Sequence, residues 1–194
     1  MPLPQGNKGS NRVRLIGGVH GGRRLQFSAA VGLRPTADPV RETLFNWLQQ
    51  DIAMARCLDL FAGSGALGFE AASRGAAQVT LIESQRNVTR SLQQNISLLQ
   101  LEDVIRLVNA DALCWLKGVA EIYQVVFLDP PFNKRLMQPV IDQLEKGGWL
   151  ESGSLIYLER DVHEEPPRLP KTWRIIRDKT AGQVRYQLVE RADI

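Results

Sequence analysis

The stretch Cys57-Leu58-Asp59-Leu60-Phe61-Ala62-Gly63-Ser64-Gly65-Ala66-Leu67-Gly68 constrains the fold more than any other part of this 194-residue chain. An apolar strand runs into a turn where Gly63, Gly65 and Gly68 follow G-x-G-x-x-G, and Phe69-Glu70-Ala71-Ala72 continues as a helix. Glycines at that spacing permit a tight turn, a close approach of backbone to a nucleotide-like ligand, and a helix packed closely on a sheet. The next apolar run, Val79-Thr80-Leu81-Ile82, ends in Glu83, where a carboxylate can take both hydroxyls of a ribose. Strand-like runs at 57–61, 79–83, 104–108, 123–128 and 153–159 alternate with helical patterns near 65–74, 85–100, 111–117 and 134–146. Val88, Leu92, Ile96 and Leu99 recur as one face of a helix laid on a sheet. Such alternation implies right-handed strand–helix–strand units and a parallel sheet covered on both faces.

The ends of the pattern differ. Asp38-Pro39 reads as a helix opening, with an acid at the N-cap and proline in the first turn, followed by the apolar face Val40, Leu44, Trp47 and Leu48. Pro139 asks for a kink or a late start in the last helix. Segments 173–177 and 184–189, with a turn near 180–182, read as an antiparallel hairpin, and the proline-bearing stretch 161–172 is the connection before it. No apolar stretch approaches the roughly 20 residues that span a bilayer, and Met1–Lys8 lacks the apolar centre of a secretory signal. Cys57 and Cys114 both lie in apolar contexts, so buried free thiols in a cytoplasmic protein are expected rather than a disulfide. His20 and His163 are isolated, and no metal site is expected.

A second motif points to chemistry. Asp129-Pro130-Pro131-Phe132 follows the buried-strand pattern Tyr123–Leu128. Two prolines fix φ and remove two N–H donors, leaving a stiff loop with an acid, a free carbonyl and an aromatic ring. Those groups can hold a planar base by its amino group and its face; the plainer alternative is a strand-ending turn whose Phe132 packs inward. In open parallel sheets ligands bind beyond the carboxyl ends of the strands. Asp59, Glu83, Asp111 and Asp129 all fall on that edge.

Charge is uneven. Of the 24 Lys and Arg residues, six (Lys8, Arg12, Arg14, Arg23, Arg24 and Arg34) precede the first acid, Asp38, leaving 18 basic against 21 acidic side chains in the rest. A basic arm on a slightly acidic body suits contact with phosphates. Within it, Arg12–Ile16 and Arg23–Phe27 flank Gly17–Gly22 as two short strands around a loop, with Val13 and Leu15 on one face and Arg12 and Arg14 on the other. The first 11 residues or so read as a flexible tail.

Taken together, Asp59–Gly65, Glu83, Asp111-Ala112 and Asp129–Phe132 resemble a class I S-adenosylmethionine-dependent methyltransferase over nearly the whole chain. Arg34-Pro35-Thr36-Ala37-Asp38-Pro39-Val40-Arg41-Glu42-Thr43-Leu44-Phe45-Asn46-Trp47-Leu48 and Gly17–Leu25 are similar to one subfamily, the RsmD-type enzymes. The resemblance implies an α/β Rossmann-like fold whose seven-stranded, mostly parallel sheet ends in an antiparallel strand, with helices on both faces. It divides the chain into a basic β-hairpin arm over residues 1–33 and a methyltransferase domain over 34–194. It implies methyl transfer to the N2 amine of a guanine in 16S ribosomal RNA, within the small subunit or an assembly intermediate, by a cytoplasmic monomer without a metal. S-adenosylmethionine is then the cofactor and S-adenosylhomocysteine the product. Asp129, Pro130 and Phe132 would engage the amine and base; Asp59, Phe61, Gly63, Ser64, Gly65, Glu83, Ser84, Asp111, Ala112 and Thr36 the cofactor; Arg12, Arg14, His20, Arg23, Arg24, Arg34 and Pro131 the RNA. Spacing alone leaves open an adenine-N6 methyltransferase on DNA or RNA, or one acting on a protein glutamine amide. A nicotinamide-dependent oxidoreductase would leave Asp129–Phe132 unexplained, and a non-enzymatic RNA-binding module would leave the row of acids unused.

Overall fold

The computed structural model describes residues 12–27, 36–131 and 135–193. Two sheets are present among them. The smaller pairs β1 (Arg12–Arg14) with β2 (Arg24–Gln26), antiparallel, in the register Arg12↔Gln26, Val13↔Leu25 and Arg14↔Arg24. The larger contains β3 (Arg56–Asp59), β4 (Gln78–Glu83), β5 (Ile105–Asn109), β6 (Tyr123–Leu128), β7 (Leu150–Asp161), β8 (Trp173–Ala181) and β9 (Val184–Arg191), in the order β5-β4-β3-β6-β7-β9-β8. Strands β3 to β7 are parallel, and β9 lies antiparallel between β7 and β8. This is the Rossmann-like arrangement that the alternating pattern implies, with the last strand reversed.

Period-two alternation builds the two faces. Cys57, Val125, Phe127, Leu155 and Tyr157 belong to one buried cluster with Leu44, Phe45, Phe69, Leu92 and Ile96. Leu58, Val126, Leu128, Ile156 and Leu158 belong to the other with Leu116, Val140, Ile141, Leu144 and Trp149. Helices α1 (Asp38–Trp47), α2 (Ala66–Ser73) and α3 (Arg86–Leu99) cover the first face, whereas α4 (Ala112–Trp115) and α5 (Met137–Lys146) cover the second. In α3 the residues Val88, Leu92, Ile96 and Leu99 are buried, and the helix stops where Gln100 turns left-handed at φ 56°. α5 begins at Met137, so Pro139 sits in its first turn, where its missing N–H costs no helical bond.

Two local expectations are corrected. Ala37, not Asp38, is the N-cap of α1 and makes no side-chain cap bond; the Asp38 carboxylate instead accepts from Arg41. A buried cation three residues along is a stronger partner than a backbone N–H at the helix start. Cys57 is buried, with its thiol pushed up to about 12 chiefly by burial, but Cys114 is exposed on α4. That helix is a single turn, too short to turn every apolar-looking residue inward.

The hairpin is fastened to this body rather than standing off it. Val13, Leu15 and Leu25 point into the first cluster while Arg12, Arg14 and Arg24 face solvent. Asn95 of α3 accepts from Gln26 N at 3.2 Å and donates to its carbonyl at 2.7 Å. The hairpin loop rests on the end of α2: Val19 N donates to Ser73 O at 2.8 Å and His20 N to Ser73 Oγ at 3.0 Å. Gly18 makes that approach possible, with φ +73° and a would-be Cβ only 1.8 Å from Ser73 O. We predict that Gly18→Ala lifts the loop, at a cost above about 2 kcal/mol from clash and strain. Trypsin should then cut faster after Arg23 or Arg24 while hydrogen exchange in β3 and β6 stays slow. Unchanged cleavage would show that the loop is not held in this way.

Candidate active site

The glycine turn and the Asp129 loop meet because β3 and β6 are neighbours. Their parallel register pairs Asp59 with Phe127, and Leu60 N donates to Phe127 O at 3.3 Å just past the end of β3. Asp59, Glu83, Asp111 and Asp129 all lie at or just beyond the carboxyl ends of parallel strands. In this sheet the order reverses at β3, with β4 and β5 on one side and β6 and β7 on the other, which is the kind of position where open parallel sheets take their ligands.

Gly63 and Gly65 take φ of +51° and +80°, and Ala62 N donates to Ile82 O at 3.0 Å, which ties the turn to the end of β4. Ser64 is buried, its hydroxyl accepting weakly from Ala66 N at 3.4 Å, and the Phe61 ring packs into the second cluster. The Glu83 carboxylate accepts from Gly63 N at 3.1 Å and from Gln85 N at 2.7 Å, so it fixes the turn from the side. Ser84 next to it is exposed; its carbonyl and that of Glu83 both accept from Asn109 Nδ2. Asp111 caps α4, with Oδ1 accepting from Cys114 N at 3.0 Å, and Ala112 behind it is buried.

Asp59 is 2% exposed. Burial pushes its carboxyl up to about 7, against the opposing effect of the Phe61 and Gly68 N–H groups that it accepts; the charge of Glu83 adds to the rise. Asp129 is half-buried and also raised well above the usual carboxylate range, first by withdrawal from water, then by the charges of Glu159 and Asp59; a hydrogen bond from Thr36 opposes this. Thr36 Oγ1 donates to Asp129 Oδ2 at 3.3 Å. Thr36 thus reaches the Asp129 carboxylate through its hydroxyl. Glu159 is an addition that the motifs did not single out. It occupies the β7 position beside Asp129, because Leu128 pairs with Leu158, and Tyr157 Oη donates to its Oε2 at 2.7 Å. The signal available was another acid closing a strand-like run, Leu155-Ile156-Tyr157-Leu158-Glu159.

The basic residues separate into two groups. Arg12, Arg14 and Arg24 line a cleft of about 460 Å³ together with Thr36 and Asp38, so it leads from the hairpin to the hydroxyl on Asp129. Arg14 and Arg24 are directly opposite across the hairpin, an arrangement that repels unless an anion covers it. Asp38, 3.7 Å from Arg14, offsets this only in part. Arg23 and His20 lie at the loop end, away from the cleft lining. Pro130 is buried and Pro131 exposed, while Phe132 and Arg34 lie outside the described residues.

The raised acids have a consequence for stability. In the unfolded chain Asp59 returns to its ordinary value of 3.8, so the stability tied to its protonated form is complete below about pH 4 and is lost as pH rises through about 7. Three pK units correspond to a loss of about 4 kcal/mol at most. Asp59→Asn should flatten the decline in stability between pH 5 and pH 8, with the variant gaining on the parent at the higher pH. Denaturant titrations at both pH values read this; equal pH slopes for the two proteins would refute it.

The family model described as conserved hypothetical protein 95 matches residues 13–190. The curated ribosomal RNA small subunit methyltransferase D of Escherichia coli K12 is 47% identical over 185 residues, covering 95% of this chain and 93% of the relative. The protein of the same name from Haemophilus influenzae is 41% identical over 181 residues, 92% of this chain and 93% of the relative. The solved structure of Escherichia coli yhhF matches with a TM-score of 0.88 at 45% identity, over 93% of this chain and 98% of that one. With the glycine turn and the Asp129 loop joined at one sheet edge, and likeness running from the hairpin to the last strand, this chain belongs to the RsmD-type methyltransferase family.

Proposed function

We propose that this chain transfers a methyl group from S-adenosylmethionine to the exocyclic N2 amine of one guanine in 16S ribosomal RNA. The observation that carries the reading is the adjacency of the glycine turn and Asp129, enforced by the β3–β6 pairing. The names of the family's curated relatives support the RNA class. When bound, the cofactor supplies an electrophilic methyl on a cationic sulfur. The residues fit a ligand of that charge: among the described residues no Lys or Arg forms an ion pair with Asp59, Glu83 or Asp129.

Each side chain then has a task. Gly63 and Gly65, left-handed and without Cβ atoms, let the turn's backbone come close, with Ser64 and Phe61 holding its shape. Glu83 is held by two N–H groups and, with about four acceptor sites on a carboxylate, keeps capacity for ribose hydroxyls. Asp59 faces the cofactor's cationic end, and the Ser84 and Asp111-Ala112 loops border the adenine. At the acceptor, Asp129 and the carbonyl of Pro130 take the two N–H groups of the amine, which favours a pyramidal nitrogen with its lone pair directed at the methyl. Phe132 stacks on the base, which must first leave its helix or stack, and Pro131 keeps the loop stiff. Because Asp129 holds a proton more readily than an ordinary carboxylate, it can take the one that the nitrogen sheds once methylated.

The arginines of the cleft and the hairpin loop, with Arg34, engage phosphates. That predicts salt-sensitive binding and better action on a structured particle than on short naked RNA.

Cells lacking this chain should lose one N2-methylguanosine from 16S ribosomal RNA, mapped nucleotide by nucleotide. The wild-type chain should restore it. Asp129→Ala should not, with turnover down at least about 100-fold and cofactor affinity within about threefold of the parent. Loss of a methyladenine, or of a methyl group on protein, would reassign the substrate; full turnover by Asp129→Ala would overturn the site.

A further inference from the structure

Thr36 and Arg41 connect the basic hairpin to the acid that receives the substrate amine. Arg41 is completely buried on α1. Its Nη2 donates to the Arg14 carbonyl at 2.8 Å and to Asp38 Oδ1, and its Nε donates to the Thr36 carbonyl at 3.2 Å. One guanidinium, rigid and planar, therefore fixes the hairpin strand and the backbone of Thr36 together. Thr36 in turn is 6% exposed, and its hydroxyl reaches Asp129 Oδ2 at 3.3 Å across 93 residues of sequence.

We propose that Thr36 is a positioning residue for methyl transfer: its hydroxyl, held in place by Arg41, occupies one oxygen of Asp129 and presents the other to the substrate amine. The inference rests on the reading of Asp129 as the group that holds that amine. A carboxylate on a short side chain can rotate about χ2, and in rotating would exchange the oxygen offered to the substrate. A donor fixed on one oxygen removes that freedom before the substrate arrives, which is preorganisation of the kind that favours a reactive pose. It also opposes the rise in the Asp129 proton affinity caused by burial and by Glu159 and Asp59, so the acid stays an ionised acceptor to lower pH than it would without the hydroxyl.

The same hydroxyl lines the cleft that Arg12, Arg14 and Arg24 border. The Arg41 bond to the Arg14 carbonyl places the phosphate-binding strand and the aligning hydroxyl on one support. An RNA strand seated on the hairpin is then in fixed register with the carboxylate that takes its base.

The test is Thr36→Val, which keeps shape and removes the donor, beside Thr36→Ser, which keeps the donor. Thr36→Val should lower kcat about tenfold, the scale of one hydrogen bond to a charged group, with KM for S-adenosylmethionine and for the 30S particle within about twofold. The acid limb of its kcat–pH profile should move to higher pH. Thr36→Ser should recover both. In an Asp129→Ala background with residual turnover, which leaves Thr36 no side-chain oxygen to bond, Thr36→Val should have no further effect on kcat; if that background is inactive, the pH profile decides. A purely structural role would lower the melting temperature without moving the pH limb. Unchanged kcat and pH profile in Thr36→Val, or a loss confined to KM for S-adenosylmethionine, would overturn the proposal. Both readouts compare variants on whatever acceptor the wild-type chain methylates, so an error in the guanine assignment would appear separately, as a different methylated product in the wild type.

Discussion

The contact on which the rest depends is the parallel pairing of β3 with β6, in the register Asp59↔Phe127. The two strands are separated by more than 60 residues, within which two strand–helix units must fold to the far side of β3. Right-handed crossovers leave β6 as the neighbour on the open side, and so the glycine turn and the Asp-Pro-Pro loop leave the sheet side by side. A one-residue slip of β6 would turn Asp129 to the α4–α5 face and Leu128 toward the cofactor side. The continuous apolar run 123–128 does not by itself fix that register, since both faces are buried. The bulky alternation from residue 125 onward does: Val125 and Phe127 pack with Phe45 and Tyr157, whereas Val126 and Leu128 pack in the cluster around Trp149, and the irregularity between Tyr123 and Val125 turns Tyr123 to that second cluster as well.

A second constraint is electrostatic and sits under the hairpin. Glu70, wholly buried on α2, accepts from Ile16 N at 2.7 Å, Gly17 N at 2.8 Å and Arg74 Nε at 2.7 Å. Arg41 Nη1 is 3.8 Å from Glu70 Oε2 and makes no hydrogen bond among the described residues. Removing one partner from such a group leaves a buried charge without compensation, which typically costs 3–5 kcal/mol. The network is therefore weak evidence for net stability but strong evidence for geometry. It allows only one seat for the hairpin, on the helix that begins at the glycine turn. The arginine-bearing hairpin, the glycine turn and Asp129 thus share one rigid support.

Much of this was legible in the sequence, and the reasons are local. The glycine turn, the strand ends bearing acids and the α3 stripe are fixed by short-range periodicity and by backbone needs, so reading the chain located them to within a few residues. Of the two outcomes that Pro139 allows, a kink or a late start, the structure has the late start. What could not be read were contacts joining distant segments. Nothing near Thr36 indicates a bond to a residue 93 positions away, and Glu70, in the middle of an apolar helix, carries no sign that it will accept two amides from residues 16 and 17. Asp38 misled because an acid before a proline is a sound cap signal, and only the fold brings Arg41 to compete for it. Cys114 misled because its apolar neighbours lie on a helix of one turn. Glu83 and Asp111 hold their expected places, yet both also do structural work that spacing alone does not separate from ligand binding.

The row of acids at the sheet edge carries the last step. Asp59, Asp129 and Glu159 follow one another across β3, β6 and β7 on the same face, and the charges of Glu159 and Asp59 both make Asp129 harder to ionise. Buried like charges oppose one another, so a sequence selected for stability alone would favour apolar or amide side chains at these positions. Their place at the carboxyl ends of parallel strands, where such sheets bind ligands, fits the proposed role of these acids toward a cationic ligand. Under the proposed function, a cationic ligand on the glycine turn would relieve the acids, and a polyanion on the Arg14–Arg24 pair would relieve the hairpin. Arg41 and Thr36 join these two charged regions, since one guanidinium holds the Arg14 and Thr36 carbonyls and the Thr36 hydroxyl donates to Asp129.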